Sequence, residues 1–489
     1  MKKTITTILA LLSLAPVFGQ GIDDACQFSQ TYYQGTAKAL GMGNALGAVG
    51  GDMTSVSINP AGMGIYRSSE LTMTLGLVDN YHSSNYYDNQ THANKMRVSI
   101  PNLGYIWTKQ RSNFRPLRYT QFGIVFNRLN DYNSHTFAKG INPSSSLIDS
   151  YLGKIDGYSE NDIQNVFPYD IYPAWSTYLI DIYQDEQGDY YSSPVPQGGI
   201  WQSQKNKFKG RSEEWTLAWS ANYSDKFFIG ASFGIEHIKR VGSRVFEESM
   251  PDNANRISTI FNNWSFNEDI SSVAWGINGK LGFIWHTSPC LRLGAAFHSP
   301  AIYNFNESWQ TETESQINWA KNKYISPESN YEYLFIQPLK WVGSMAFVVG
   351  QSGIISIDAE YTNYSAARFI TAFGDDYDYT PKNDEIKESF GRTLNFRFGN
   401  EWRLQNSYLR LGAGYYGSPL GFGKSNGSIK KASAGISIPA GSSTTFDFAY
   451  ELTLGKRNYT LYDASPIDIQ TVNQNQIKNL FMVSMRIRL

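Results

Sequence analysis

Six histidines, two cysteines and several acidic clusters are the groups here that could hold a metal, move a proton or attack carbon. Their spacing assembles none of those chemistries. His82, His92, His135, His237, His286 and His298 form no HExxH and no close ligand pair. There is no nucleophile elbow, no phosphate-cradling glycine loop and no CxxC. His82, His92 and His135 fall in or beside predicted outer loops, where solvated histidines are ordinary. Asp375-Asp376-Tyr377-Asp378 with Asp384-Glu385 offers the oxygen ligands Ca²⁺ favours, but lacks EF-hand spacing, and a solvated acidic loop explains it more simply. Arg397, Glu401, Asp358 and Glu360 are first accounted for as polar contacts inside the fold. No enzyme, no cofactor and no metal site is therefore expected.

The elements that would position these groups are strands. Phe481, Val483, Met485, Ile487 and Leu489 alternate with Ser484, Arg486 and Arg488. Phe446, Phe448, Tyr450, Leu452 and Leu454 repeat the pattern, as do Trp215, Leu217, Trp219, Ala221 and Tyr223. Period two with one apolar face and one face carrying both signs of charge is what a membrane barrel requires. A soluble β-sandwich also alternates, but three features favour the barrel. Aromatics make up 15% of residues and gather at strand ends, as an interfacial girdle would. The charged face suits a polar lumen. Finally, Met1-Lys2-Lys3, an apolar run from Ile8 to Phe18, and Val17 with Gly19 read as a signal peptide over 1–19, with the mature chain starting near Gln20. Mean hydropathy is −0.37, and no later apolar run approaches the ~18 residues a membrane helix needs. A net charge of −1 gives no argument for nucleic acid.

An all-β, antiparallel transmembrane barrel of about fourteen strands over 70–489 is expected. Predicted connections alternate long (80–94, 134–212, 249–269, 313–333, 370–386, 460–475) with short, which puts both termini in the periplasm of a cell outer membrane. Two helical faces are predicted in the extracellular loop 134–212. One holds Leu147, Ile148, Tyr151, Leu152 and Ile155. The other holds Trp175, Tyr178, Leu179 and Ile182, with Pro173 early in its helix. Either they pack on each other, or they form an apolar capture groove over the mouth. Burying about five methylenes there would give ~4 kcal/mol, roughly millimolar affinity. Residues 20–69, rich in Gly and Ala, are too few for a separate domain and are expected to fold into the lumen as a plug, or hatch. Cys26 in that segment and Cys290 in a predicted periplasmic turn could form a disulfide in an oxidising compartment.

At Asn59-Pro60-Ala61-Gly62 the sequence resembles the FadL/TodX-type (OmpP1) outer-membrane transporters of hydrophobic substrates. The resemblance continues in order through Ile100-Pro101-Asn102, Phe297-His298-Ser299, Gln337-Pro338 and Glu360-Tyr361-Thr362-Asn363-Tyr364-Ser365. It ends with Ser418-Pro419 and Ser433-Ala434-Gly435, and so spans most of the mature chain. Ser418-Pro419 is followed by Leu420-Gly421 where the family usually has Val-Pro, and the chain ends in Leu489 rather than an aromatic residue. The resemblance implies a fourteen-stranded barrel with Asn59, Pro60, Ala61 and Gly62 in a gating hatch. It implies passive uptake of a fatty acid-like or aromatic-hydrocarbon ligand. A second reading, from another class, is a non-transporting barrel of the same fold that docks or shuttles within a type IX-like secretion system. Expected partners are a hydrophobic small molecule, outer-membrane lipid and lipopolysaccharide, and the barrel-assembly machinery; a monomer is expected.

The alternation slips twice. Val98 and Ile100 lie on one parity, and Leu103, Tyr105 and Trp107 on the other. Phe122, Ile124 and Phe126 are in phase, and Leu129 is not. A one-residue slip signals a bulge, and Pro101 cannot donate to a ladder. Two adjacent interrupted strands predict either a sealed bulge or a lateral opening bounded by Pro101, Asn102, Asn127 and Arg128. The resemblance favours the opening, because such transporters use a kinked early strand as a side door.

Overall fold

The computed structural model describes residues 21–489 except 112–113, 156, 186–187, 252–257, 259, 319, 374–376 and 463–468. The expected leader and part of the acidic loop, Asp375 and Asp376, lie outside the described residues. The chain opens with α1 (Ile22–Ser29), α2 (Ala37–Gly41), α3 (Ser55–Ile58) and a 3-10 turn at Pro60–Ile65. The wall follows: β1 (Glu70–Tyr86), β2 (Asn89–Gln110), β3 (Leu117–Asp131) and β4 (Ser134–Asn142). An outer excursion carries α4 (Leu147–Ile155), α5 (Glu160–Val166), α6 (Ile171–Ser176) and a hairpin of β5 (Asp181–Asp185) and β6 (Gly188–Ser192). Then come β7 (Ile200–Tyr223), β8 (Phe227–Ser249) and β9 (Phe261–His286).

The next three wall strands are each broken in two. They are β10 (Leu291–His298) with β11 (Ala301–Ile317), then β13 (Ser329–Gln337) with β14 (Lys340–Val349) after the short β12 (Ala320–Ile325), then β15 (Gly353–Asn363) with β16 (Arg368–Thr371). After α7 (Thr380–Ser389) the wall closes through β17 (Arg392–Leu404), β18 (Ser407–Tyr416), β19 (Ile429–Ala440), β20 (Thr444–Tyr459) and β21 (Val472–Arg488). β21 pairs antiparallel with β1 from Glu70↔Arg488 to Asn85↔Asn473. β3 and β4 likewise form one interrupted strand along β7; counting every broken strand once, this is a closed fourteen-stranded antiparallel barrel.

Its outer face explains the alternation. Leu71, Met73, Leu75 and Leu77 of β1, Trp215, Leu217 and Trp219 of β7, and Phe481, Val483 and Met485 of β21 are exposed. Their neighbours Thr72, Thr74, Glu214, Thr216 and Ser484 are buried inside. An apolar belt outside a polar interior is the inverse of a water-soluble core, and it marks a barrel that spans a membrane. The first and last strands end together, with the Leu489 amide donating to Ser69 O at 2.9 Å. That rim also carries the short connections 111–116, 224–226, 287–290, 350–352, 405–406 and 441–443.

Three expectations need correction. The loop predicted at 80–94 is strand, as is most of the one predicted at 313–333, which β11, β12 and β13 occupy: β1 and β2 continue in register to Tyr86↔Asn89, joined by Tyr87 (φ +48°) and Asp88. Above the membrane neither face must be apolar, so the polar run Tyr81–Lys95 hides a strand. The second outer helix stops at Ser176, short of Tyr178, Leu179 and Ile182. Thr177 Oγ1 donates to Pro173 O at 2.8 Å, the Leu179 amide donates to Ala174 O, and Tyr178 adopts φ +59°, a left-handed helix stop. Ile182 belongs to β5. Finally, both cysteines are free. Near Cys26, the Phe28 ring centroid lies 4.8 Å from that of Phe305, which lies fifteen residues beyond Cys290 along the same wall strand. That is roughly 50 Å of strand path at about 3.3 Å per residue, whereas a disulfide requires Cα atoms within about 7 Å.

A membrane-impermeant maleimide tests this arrangement. It should label neither cysteine on intact cells, Cys290 alone once the outer membrane is opened, and both after unfolding. Labelling of Cys290 on intact cells would place the short-turn rim outside.

Candidate functional site

The lumen is filled by residues 31–64, almost all of them buried. At the centre is the Asn59-Pro60-Ala61-Gly62 turn. Pro60 opens the 3-10 turn, where its missing N–H costs nothing. Asn59 Oδ1 accepts from the Ala61 amide at 3.1 Å, and its Nδ2 donates to Gly47 O at 2.7 Å and to Phe283 O of the wall at 3.2 Å. A Cβ on Gly62 would lie 3.0 Å from the Gly50 Cα.

The wall supplies matching vacancies. A Cβ on Gly230 of β8 would collide with Pro60, and one on Gly282 of β9 with Asn59 Oδ1. Gly294 meets Gly47, Gly399 meets Met42, and Gly412 meets Gly43 in the same way. Polar groups complete the seating. Ser57 Oγ donates to Glu214 Oε2 at 2.7 Å, and Glu214 also pairs with Lys280. His298 Nε2 meets Ile58 O at 2.8 Å, the Gly47 amide donates to Asp358 at 3.0 Å, and the Ala37 amide donates to Ser484 Oγ at 2.7 Å. Asp358 and Glu360 are held from behind by Arg397. Sequence reasoning assigned Asp358, Glu360 and Arg397 to polar contacts but missed Glu214, Lys280 and the glycines. A strand glycine on lumen parity was the available signal, because it marks close backbone approach.

The four residues predicted to border an opening lie together. The β2–β3 ladder runs from Gln110↔Tyr119 to Asn102↔Asn127 and ends there. On one side, the β1–β2 register shifts between Thr74 and Gly76, leaving Ile100 and Pro101 opposite Leu75. On the other, the β3–β7 register shifts between Arg128 and Asn130, leaving Leu129 unmatched. Above this point side chains span the seam. Arg97 meets Asp131 at 2.9 Å, Lys95 Nζ donates to Phe208 O at 2.7 Å, and Asn89 Nδ2 donates to Lys139 O at 2.9 Å. Inside, the hatch takes over the vacated β3 edge. The Gln34 amide donates to Arg128 O at 2.9 Å, and the Tyr32 amide to Leu129 O at 2.8 Å. Asn127 Nδ2 donates to Ser57 Oγ of the hatch at 3.0 Å.

The far mouth is covered. Leu147, Ile148, Tyr151 and Leu179 are buried, packed with Phe246, Trp264, Ile317 and Val472 of the wall tops. Leu152 and Trp175 pack at the edge of this cluster, while Tyr178 and Ile182 are exposed. The expected groove is thus a closed lid in this structure. Glu248 of β8 pins it, accepting from Ser146 Oγ at 2.6 Å, the Leu147 amide at 3.0 Å and Trp264 Nε1 at 2.7 Å. Between lid and hatch lies an aromatic cluster: Phe28 of α1 against Tyr132, Phe305, Tyr333, Phe335 and Phe369. Beneath it a space of about 20 Å³ remains among Thr31, Tyr33, Glu236, His298 and Lys340.

No family model matches the sequence, and no curated protein matches it. Solved structures do. A Pseudomonas aeruginosa FadL homologue superposes with TM-score 0.59 at 12% identity, over 94% of this chain and 99% of that one. The P. putida toluene transporter TodX gives 0.54 at 11%, over 94% and 99%. The Ralstonia pickettii toluene transporter TbuX gives 0.53 at 13%, over 93% and 98%. The chain thus has the FadL/TodX-type fold, that of outer-membrane barrels.

Two outcomes are expected. Gly282→Val should dislodge the turn from the wall, giving a heat-modifiable, folded barrel with several-fold higher single-channel conductance; an unchanged closed pore would deny the seating. The lid should also loosen with rising pH. Asp170, capping the Ile171 amide at 2.8 Å, is pushed up to about 6 by burial, and burial moves Asp149 in the same direction. A folded-state pKa above the usual ~4 means the folded lid binds protons more tightly than the unfolded one. That stability is complete below about pH 4 and is lost as pH rises through 6. Amide exchange over 147–180, corrected for intrinsic rates, should report easier opening at pH 7.5 than at pH 5; equal or greater protection at pH 7.5 would contradict this.

Proposed function

We propose that this barrel is a passive outer-membrane channel for hydrophobic or amphipathic small molecules, either fatty acid-like or aromatic hydrocarbon. The observation that carries this is the shared edge of hatch and seam. The β3 carbonyls that β2 abandons are bonded by Tyr32 and Gln34 of the plug, so a shift of the plug unfastens the wall beside it. The described toluene transporters of the same fold support the ligand class.

A ligand would first meet Tyr178 and Ile182 on the lid. Its passage through the mouth would loosen the packing of Leu147, Ile148, Tyr151, Leu152, Trp175 and Leu179. The aromatic cluster around Phe28 and Phe305 would receive it next, as the edge-to-face Phe28–Tyr132 and stacked Phe305–Tyr333 pairs part to admit an apolar guest. Displacement of Phe28 pulls on α1 and, through residues 30–34, on the strip that holds Arg128 and Leu129. The ligand would then leave sideways between Pro101–Asn102 and Asn127–Arg128 into the membrane, where apolar surface is already solvated. The sequence carries no nucleotide-binding loop, so the gradient supplies the drive. The short-turn rim and both termini face the periplasm, and the barrel acts as a monomer.

Outer-membrane vesicles offer the test. With Cys26 and Cys290 changed to Ser, Arg97→Cys and Asp131→Cys would be joined by a short bismaleimide across the seam. Oleate and toluene uptake should fall to the level of vesicles lacking the protein, while the unjoined variant keeps most of its uptake. Unchanged uptake after joining would refute the lateral exit. No uptake by the wild type, with no lipid retained in native mass spectra, would instead favour the docking or shuttle barrel.

A further inference from the structure

The outside of the barrel carries a feature that transport does not use. On β7, Lys205, Lys207, Lys209 and Arg211 recur at period two, and the β7–β8 register is unbroken from Trp201↔Ser249 to Tyr223↔Phe227. They therefore share the face of Trp215, Leu217 and Trp219, which are 44–47% exposed in the lipid belt, while Phe208, Ser212 and Glu214 face in. The four cations sit on the outer wall, just beyond the belt on the side away from the termini. Lys239 of β8 is paired with Arg211 and adds a fifth. Among the described residues, Arg211 alone of these five has an ion-pair partner, Glu213.

This row borders a hollow of about 650 Å³ on the same outer face. Its floor follows two cross-strand rows, Lys207–Ser243–Asp269–Gln310 and Lys209–Val241–Ser271–Ser308. Lys95 and His135 close one side, and Glu328 closes the other. It is an open hollow, large enough for a headgroup-sized ligand. Its chemistry is divided. Lysine ammoniums stand at one end, the Ser271 and Ser308 hydroxyls, the Gln310 amide and the Asp269 carboxylate border the rest, and most of the surface between these polar groups is apolar. Apolar girdle lies directly below.

We propose that this hollow binds the phosphorylated sugar headgroup of an outer-leaflet glycolipid. Lys207 and Lys209 take a phosphate, assisted by Lys95. Ser271, Ser308, Gln310 and Asp269 hold sugar hydroxyls, and the acyl chains lie on Trp215, Leu217 and Trp275. Each part follows from position. Ammonium groups at the edge of a membrane attract anionic headgroups, and aromatic rings below them suit the boundary between headgroup and chain. A protein or nucleic-acid partner would not account for the apolar girdle that lies directly below these cations.

The full-length protein, purified in a mild detergent, would be offered a bisphosphorylated lipid A, the same lipid without phosphates, and soluble glucosamine phosphate. Native mass spectrometry reads retention. The wild type should retain the bisphosphorylated lipid. Lys207→Gln with Lys209→Gln should lower retention about tenfold, and high salt should act in the same direction. Both side chains point outward, so heat-modifiability on gels should show an unchanged barrel, and Lys430→Gln with Lys424→Gln serves as a charge-matched control. Retention of the soluble sugar phosphate alone would indicate a free-phosphate site and overturn the lipid assignment. Equal retention of the dephosphorylated lipid, or equal loss in the control, would overturn the site altogether.

Discussion

Within a bilayer every backbone N–H and C=O must find a partner inside the protein, and the rest of this structure follows from how that rule is met where the ladder stops. Between β2 and β3 the ladder ends at Asn102↔Asn127, and amides of the N-terminal segment take the next two carbonyls. A second discontinuity lies across the barrel. The breaks at 299–300, 338–339 and 364–367 are aligned on neighbouring strands, since His298 faces Lys340 and Lys340 faces Thr362. Among the described residues, β16 has no ladder with β17 beyond that line. Asn383 of α7 serves as a substitute neighbour there: its Oδ1 accepts from the Phe369 amide at 2.8 Å and its Nδ2 donates to Phe369 O at 2.9 Å. A wall satisfied by its own strands would be inert. One satisfied in part by a plug and by a helix can change when those move.

The plug is held by shape and polarity together. Glycines in β8, β9, β10, β17 and β18 let hatch backbone reach wall backbone. Buried charges then fix its orientation, with Glu214 accepting from Ser57 and Asp358 from the Gly47 amide. Neutral hydrogen bonds contribute about 1 kcal/mol each, and bonds to charged groups such as these somewhat more. Losing one partner leaves a buried group unsatisfied. Such a plug moves as a body or stays in place, and partial release is costly.

Much of this was legible in the sequence because the membrane imposes it. Period two appeared where lipid demands one apolar face, as on β7 and β21. The phase slips at Pro101-Asn102 and around Leu129 marked both bulges. The motifs Phe297-His298-Ser299, Gln337-Pro338 and Asn363-Tyr364-Ser365, noticed as a resemblance, turn out to sit at the three aligned breaks. What the sequence concealed lies where the membrane exerts no control. The tops of β1 and β2 are polar on both faces and so resembled a loop. The helical period through Tyr178–Ile182 was overridden by the Thr177 hydroxyl and a left-handed Tyr178. The wall glycines were visible, but their meaning depended on knowing what lay opposite.

The central claim is that hatch and seam form one mechanical element. Spin labels at Val98→Cys and Ile141→Cys, both exposed and on opposite sides of the seam, would measure it in a background lacking Cys26 and Cys290. Pulsed dipolar spectra should show a single narrow distance in the intact barrel, and a longer component when the hatch is displaced by Gly282→Val or by saturating oleate. A distance distribution that stays unchanged while the pore conducts would contradict the account.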